Sequence, residues 1–319
     1  MSDGDLKPEV REWKPTLAVA AILVALFGAA FALQLARERA YGEPQSGDEV
    51  LYVRSGPTLE KIALSYKAIL ADVYWIRAIQ HYGGTKLSRR PEKRYDLLYP
   101  LLDITTTLDP LFNIAYRFGA MFLAESYPGG AGRPDLSVAL LEKGFRARPE
   151  KWEYLQDIGF VHYWWLHDYG KAASWFEKAS AVAGAPWWLK SLAAVTLTQG
   201  GDRRSSRLLW QQLRETADND WLRTNADWRL TQLDALDQID ELRWAVRQYA
   251  QGLGRLPQSW IDLQRAGLVR GRPVDPTGAP YELDPTTGNV TVARTSRLFP
   301  LPIEPQGGRE GAKDGWSNE

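Results

Sequence analysis

The chain contains no cysteine. Disulfides, thiolate-bound metals and cysteine nucleophiles are therefore excluded, while the compartment stays open, because a disulfide-free protein can live on either side of a membrane. An excess of one charge is also missing: 39 Lys and Arg balance 39 Asp and Glu. A dedicated nucleic-acid binder carries a basic footprint, so no nucleic-acid partner is expected. Histidine is scarce. His162 and His167 stand five apart without the intervening glutamate of an HExxH zinc site, and His81 reads as a complement to a helix end. Neither the phosphate-cradling GxxxxGK[ST] and GxGxxG loops nor the hydrolase elbow GxSxG occurs. No metal, cofactor, small-molecule substrate or catalytic residue is expected on these grounds.

Tryptophan is abundant, with 14 residues, several of them in pairs such as Trp164-Trp165 and Trp187-Trp188. A large ring with one N–H donor suits helix seams and interfaces better than catalysis. Long chargeless runs occur once, from Thr16 to Ala36. As a helix those residues extend about 30 Å, the thickness of a hydrocarbon core, and Arg37-Glu38-Arg39 ends the run. The pattern predicts a membrane-spanning helix over 16–36 after a polar tail, 1–15. The alternative is a cleaved leader using Ala30-Phe31-Ala32, but the apolar run continues past that point. A short tail before a single span places the rest outside the cytoplasm. The expectation is a single-pass inner-membrane protein with its bulk in the periplasm.

After a connector, 37–56, the segment from Pro57 has Leu59, Ile62, Tyr66, Ile69, Val73, Ile76 and Ile79 at three- and four-residue steps, the helical period. Gly83-Gly84 is expected to stop that helix, and Pro91 to start another that ends at Asp109-Pro110. Together they form a helical cap, 57–108. From 109 to 250 a unit recurs: an apolar helix with a small residue midway, a turn, a second helix rich in Ala and aromatics, then a closing proline or acid. Pro110 to Pro149 is 39 residues and Pro149 to Pro186 is 37; the third unit closes roughly 34 further on, the tetratricopeptide spacing.

The residues agree with that spacing. The second unit resembles the tetratricopeptide family at Trp152, Leu155, Gly159, Tyr169, Ala172, Phe176, Ala179 and Pro186. The third does so at Ala194, Leu197 and Trp210, the first at Gly119, Phe122, Gly144 and Pro149. SYPGGAGRP is an insertion in the first unit, and the hairpin turn of the second is one residue long of the pattern. The resemblance implies an α-solenoid whose first helices line a partner-gripping groove. Carried onto this chain, the groove comprises Asn113, Tyr116, Glu153, Gln156, Phe160, Tyr163, Trp164, Trp188 and Ser191, with Tyr116, Glu153 and Gln156 expected to be exposed. Phe160, Trp164 and Trp188 fit equally a role as filling between hairpins. A further helix, Leu230–Tyr249, is expected to cap the array, its Asp234, Asp237, Asp240 and Glu241 forming a solvated face.

Beyond Gly254 the grammar changes to a small α+β module, 251–303, before a tail, 304–319, read as disordered. Asp275-Pro276-Thr277-Gly278 has the preferences of a type I turn, and Asp284-Pro285-Thr286-Thr287-Gly288 repeats its chemistry. Both aspartates read as turn formers, with calcium ligation the alternative. Pro280–Leu283 and Asn289–Ala293 are expected to pair as a hairpin. This module resembles the C-terminal part of type II secretion pseudopilins, although the prepilin cleavage signature is absent. The fold class expected is therefore mainly α: one transmembrane helix, a solenoid, a small α+β module. Its function would be a scaffold for assembling a bacterial envelope complex such as a secretion, pilus or transporter system. A structural subunit of a large membrane complex is the near alternative. The rival class, an envelope enzyme, would need convergent carboxylates, for which the groove offers Glu153 and Asp157.

Overall fold

A computed structural model describes residues 14–41, 59, 61, 63–89 and 91–304. The expectations for the N-terminal tail before 14, for the connector 42–56 and for the tail after 304 lie outside these residues. The chain divides into two units, Met1–Arg54 and Ser55–Glu319. It is mainly helical, with one small sheet.

In the first unit, α1 runs from Lys14 to Tyr41. Its described side chains are apolar around the whole circumference: Ile22, Leu23, Val24, Leu26, Phe27, Phe31 and Leu33 are all exposed. Among the described residues no helix is long and apolar enough to cross a membrane. The side chains of α1 are described only over 21–33 and at 35 and 36, short of the ~20 residues that a span takes.

The second unit begins with a 3-10 turn, Leu64–Tyr66, leading into α2, Lys67–Leu87, and α3, Leu98–Leu108. Four helical pieces follow as two hairpins: α4, Asn113–Ala124, with α5, Pro134–Ala147, then α6, Trp152–Trp164, with α7, Tyr169–Ser180. A third hairpin joins α8, Trp188–Gln199, to α9, Arg203–Glu215. Each helix packs on its predecessor, and α4 also lies against α6. Asp168 and Asp202 cap α7 and α9 by accepting from the backbone N–H three residues on, satisfying donors that the helix start leaves open.

The glycines within the first hairpin, Gly119 on its first helix and Gly144 on its second, have a physical reason. A methyl at Gly119 would meet the Leu102 methyls at 2.7 and 2.9 Å, and one at Gly144 would meet the Tyr116 ring at 2.9 Å. Close helix approach is what these positions provide. Phe176 and Ala172, both fully buried, join Ala193, Trp210 and Leu233 in a core shared by α7, α8, α9 and the next helix.

That helix, α10, runs unbroken from Asp220 to Leu253 and ends at Gly254 in the left-handed region, φ 68°, a conformation glycine adopts without a Cβ penalty. It is far longer than the Leu230–Tyr249 expected, because Asn219 caps it and Leu222 and Ala226 are buried upstream. Two other boundaries also move. Gly83-Gly84 does not stop α2, which continues to Leu87, and the residues from Pro91 to Leu97 form bends and a turn rather than the start of α3. Consequently His81 lies inside α2, buried, not at a helix end.

The far half of α10 carries the C-terminal module. There β1, Tyr281–Leu283, pairs antiparallel with β2, Val290–Val292, in the register Tyr281 with Val292. Both strands and α11, Trp260–Arg265, close a core with Ile239, Val246 and Tyr249. Asp275 is the keystone of the first turn. Its Oδ1 accepts from the Thr277 N–H at 2.8 Å, the Thr277 hydroxyl at 2.7 Å and the Ala279 N–H at 3.0 Å, and its Oδ2 accepts from the Ser296 hydroxyl. Burial pushes this carboxyl up, but the bonds from Ser296, Thr277 and Ala279 outweigh burial and hold it below the usual carboxylate range.

A carboxyl with a depressed folded pKa contributes stability that is complete above the unfolded value, about 3.9, and is lost as pH falls through the folded value. Asp275→Asn is therefore expected to cost the module about 1.5–3 kcal/mol at neutral pH. Amide exchange over 275–298 should rise at pH 7, and the variant and the parent should converge in acid. An equal difference at both pH values would exclude this role.

Candidate partner-binding face

Three contacts lay the first helices side by side and set their register. Between α4 and α6, Arg117 Nε donates to Asp157 Oδ2 at 2.5 Å and Nη2 to Oδ1 at 2.9 Å, 40 positions apart. Between α6 and α8, the Tyr163 hydroxyl donates to Gln199 Oε1 at 2.7 Å, 36 positions apart. Trp152 meets Trp188 edge-on at 6.1 Å, which is the same offset, 188 less 152. On the other flank α2 lies along α4: Trp75 stacks on Phe122 at 6.2 Å and Tyr82 on Phe122 at 4.1 Å. Lys86 and the Tyr82 hydroxyl both donate to Glu125 across the same seam.

With this order fixed, the outward side chains can be read off. Ile114, Phe118 and Met121 stand exposed on α4 at steps of four and three, one face of a helix. On α2 and the turn before it, exposed apolar residues include Tyr66, Ile69, Val73, Ile76 and Ile79. The stripe that marks this helix in the sequence faces out; Ala71, Tyr74, Ala78 and His81 face in. On α6, Trp164 is 53% exposed and stacks on half-buried Phe160 at 4.5 Å. Exposed apolar side chains on neighbouring helices mark interaction surfaces when they are contiguous.

The nine groove positions expected from the sequence divide accordingly. Tyr116 is fully buried, which overturns its expected exposure: its ring closes over Gly144 and its hydroxyl donates to the Thr106 carbonyl. Burial drives that phenol up to about 12. Phe160 is largely filling, edge-on to Phe176 at 5.0 Å, and Tyr163 is tied to Gln199. Trp164 and Trp188 are exposed at the surface. Asn113, Glu153, Gln156 and Ser191 are half-buried.

Among the described residues, Asn113 Oδ1, Glu153 Oε2 and Ser191 Oγ are buried without a hydrogen-bond partner. Each such group costs about 1–3 kcal/mol and returns nothing to folding. All three sit in the first turns of α4, α6 and α8. The sequence reading missed Ile114, Phe118 and Met121, although their spacing was visible; they lie on the side of α4 opposite the buried Tyr116.

The charged groups are mostly engaged with one another. Burial raises the Asp157 carboxyl above its ordinary range against the pull of Arg117, and the neighbouring Glu153 charge adds to the rise. The acidic run on α10 is only in part the solvated face expected from the sequence: Asp234 and Glu241 are exposed, while Asp237 and Asp240 are half-buried. Asp237 and Asp240 converge on Arg203, which is only 5% exposed. Asp284, like Asp275, is taken up by its own turn, accepting from the Thr286 N–H and hydroxyl at 2.9 and 2.7 Å. Among the described residues no cluster of three or more His, Cys, Asp or Glu is arranged to hold a metal.

A further cleft of about 540 Å³ opens between α5 and α7 over Leu155, rimmed by Arg146, Lys178 and Glu142. Its cations occupy last turns, where they complement the helix ends. Comparison with protein-family models, with curated proteins and with solved structures finds no match.

Proposed function

We propose that this chain is a membrane-anchored helical-repeat scaffold that holds a partner protein against the outward face of α2, α4, α6 and α8. The observation that carries the reading is the row of exposed apolar side chains on adjacent first helices, Ile76 on α2, Phe118 and Met121 on α4, Trp164 on α6. The tetratricopeptide-like spacing supports a solenoid, and the partnerless polar atoms at the helix starts support a binding edge. Anchoring rests on the chargeless run Thr16–Ala36 inside the 28-residue helix α1 and on its apolar circumference, which suits a helix buried on all sides. In this reading the bulk of the chain lies in the periplasm, anchored in the inner membrane of a bacterial cell. The process served is assembly of an envelope complex, a secretion, pilus or transporter system. It is a binding protein rather than an enzyme, since Asp157, its perturbed groove carboxylate, is taken up by Arg117.

One observation favours a second reading, a permanent subunit of a larger membrane complex. Trp164, Trp187, Trp221 and Trp244 are each more than half exposed, and obligate interfaces are the more apolar ones. Crosslinked capture from native membranes separates the readings. Phe118→Glu with Met121→Glu, both on exposed positions, is expected to reduce recovery of a stoichiometric partner about tenfold or more. Leu208→Glu, an exposed change on α9, should leave recovery intact. Unchanged recovery with the α4 variant would remove the face as the working site. Recovery that survives washing only as an inseparable complex would favour the subunit.

A further inference from the structure

On α2 the positions 69, 72, 76 and 79 follow one another at steps of three, four and three, the a and d spacing of a coiled-coil seam. Three are isoleucine and the second is Asp72. All four are exposed, and among the described residues no cation pairs with Asp72. Beside this seam lies α4, whose Phe122 stacks on Trp75, both rings half-buried. A solvated carboxylate in the middle of an apolar seam discriminates between occupants.

A bilayer surface would have to take that carboxylate into its apolar layer without a counterion. A second copy, related by a two-fold axis, would bring the same carboxylate from each chain into one seam, and the cations five positions to either side of it on α2, Lys67 and Arg77, already have partners of their own. A helix that carries its own apolar stripe and one basic residue satisfies both the isoleucines and the charge. We infer that the α2 seam receives a partner helix whose apolar stripe is interrupted by a single lysine or arginine set against Asp72. Single polar seam positions of this kind fix register and partner choice at some cost in affinity. The inference deepens the scaffold reading and rests on it.

The test uses the full chain in lipid nanodiscs and two labelled synthetic helices. Both have isoleucine at every a and d position except the central d, where one has lysine and the other glutamate. Fluorescence anisotropy is expected to show about tenfold tighter binding of the lysine helix. Asp72→Lys should invert the preference, and Ile76→Glu should weaken binding of the lysine helix. Equal affinity of the unaltered chain for both helices would overturn the inference, as would a preference that Asp72→Lys leaves in place. If the peptides are not discriminated while the α4 variant still loses its native partner, the face stands and only the role of Asp72 falls. If native capture is also insensitive, the scaffold reading falls with it.

Discussion

Arg203→Ala is expected to release the C-terminal strap, residues 298–304, from α10 while leaving the hairpins α4–α7 protected. The strap is held by one buried guanidinium. Its Nε donates to Glu304 Oε1 at 2.5 Å and Nη2 to the other oxygen of the same carboxylate, while Nη1 donates to Asp237 and Asp240, each at 2.8 Å. Gln232, itself fully buried, adds two bonds from Nε2 to the Leu298 and Pro300 carbonyls, both at 3.0 Å. Burial works against the Arg203 charge, and Glu304, Asp237 and Asp240 more than restore it. Removing the cation leaves the Glu304 carboxylate against Asp237 and Asp240, which keep Arg207 and Arg243.

Breaking a buried pair from one side costs about 3–5 kcal/mol. The low end applies, because Asp237 and Asp240 are 38% and 31% exposed and water screens them. Arg203→Lys should recover only part of the loss, since an ammonium cannot grip Glu304 with two parallel bonds. The sign with pH follows from Asp237. Burial raises its carboxyl, and the bonds from Arg203 and Arg207 lower it further than burial raises it. Its contribution is therefore present above the unfolded value, about 3.9, and fades as pH falls through the folded value. The deficit of Arg203→Ala should be full at pH 7 and shrink in acid. Hydrogen exchange over 298–304 and 230–240 reads both effects; unchanged protection of the strap in Arg203→Ala would show that the cluster does not hold it.

What could and could not be foreseen follows from the range of each signal. The mainly helical class and the small sheet were legible, because period and turn chemistry are local: Asp275 and Asp284 specify their turns within four residues. Periodicity also found the stripe from Tyr66 to Ile79, but a stripe names a face without naming what covers it. Ala71, Tyr74, Ala78 and His81 take the buried side of α2, which packs on α3, and the isoleucines are left outside. Arg203 and Glu304 are 101 positions apart, so nothing local could mark Arg203 as buried. Tyr116 was misplaced for a related reason: a position carried over from a repeat pattern keeps its number but not its helical phase. The same phase error hid Phe118 and Met121.

The deepest sequence signal, a small residue midway along each first helix, can be turned into a change of sign. A methyl built on Gly159 would stand 2.4 and 2.5 Å from two ring carbons of Phe176, a buried ring that cannot move aside like the end of a flexible chain. Gly159→Ala should therefore destabilise the chain by about 1–3 kcal/mol, the usual cost of overpacking. Phe176→Ala should cost about 3–5 kcal/mol, since it empties the centre of the α6–α7 hairpin. The two changes are not additive. Without the ring, alanine at 159 has room, and alanine is the better helix former by about 1 kcal/mol. In a Phe176→Ala background, Gly159→Ala should thus stabilise. Gly83 supplies the control: it lies inside α2 with nothing within 4 Å of a built methyl. Gly83→Ala should stabilise by the propensity difference alone, in either background. Urea unfolding followed by tryptophan fluorescence would measure all five changes in stability. A cost for Gly159→Ala that is the same with and without the Phe176 ring would mean that helix approach is not what glycine provides there, and the packing argument for the repeat would fail at its best-defined contact.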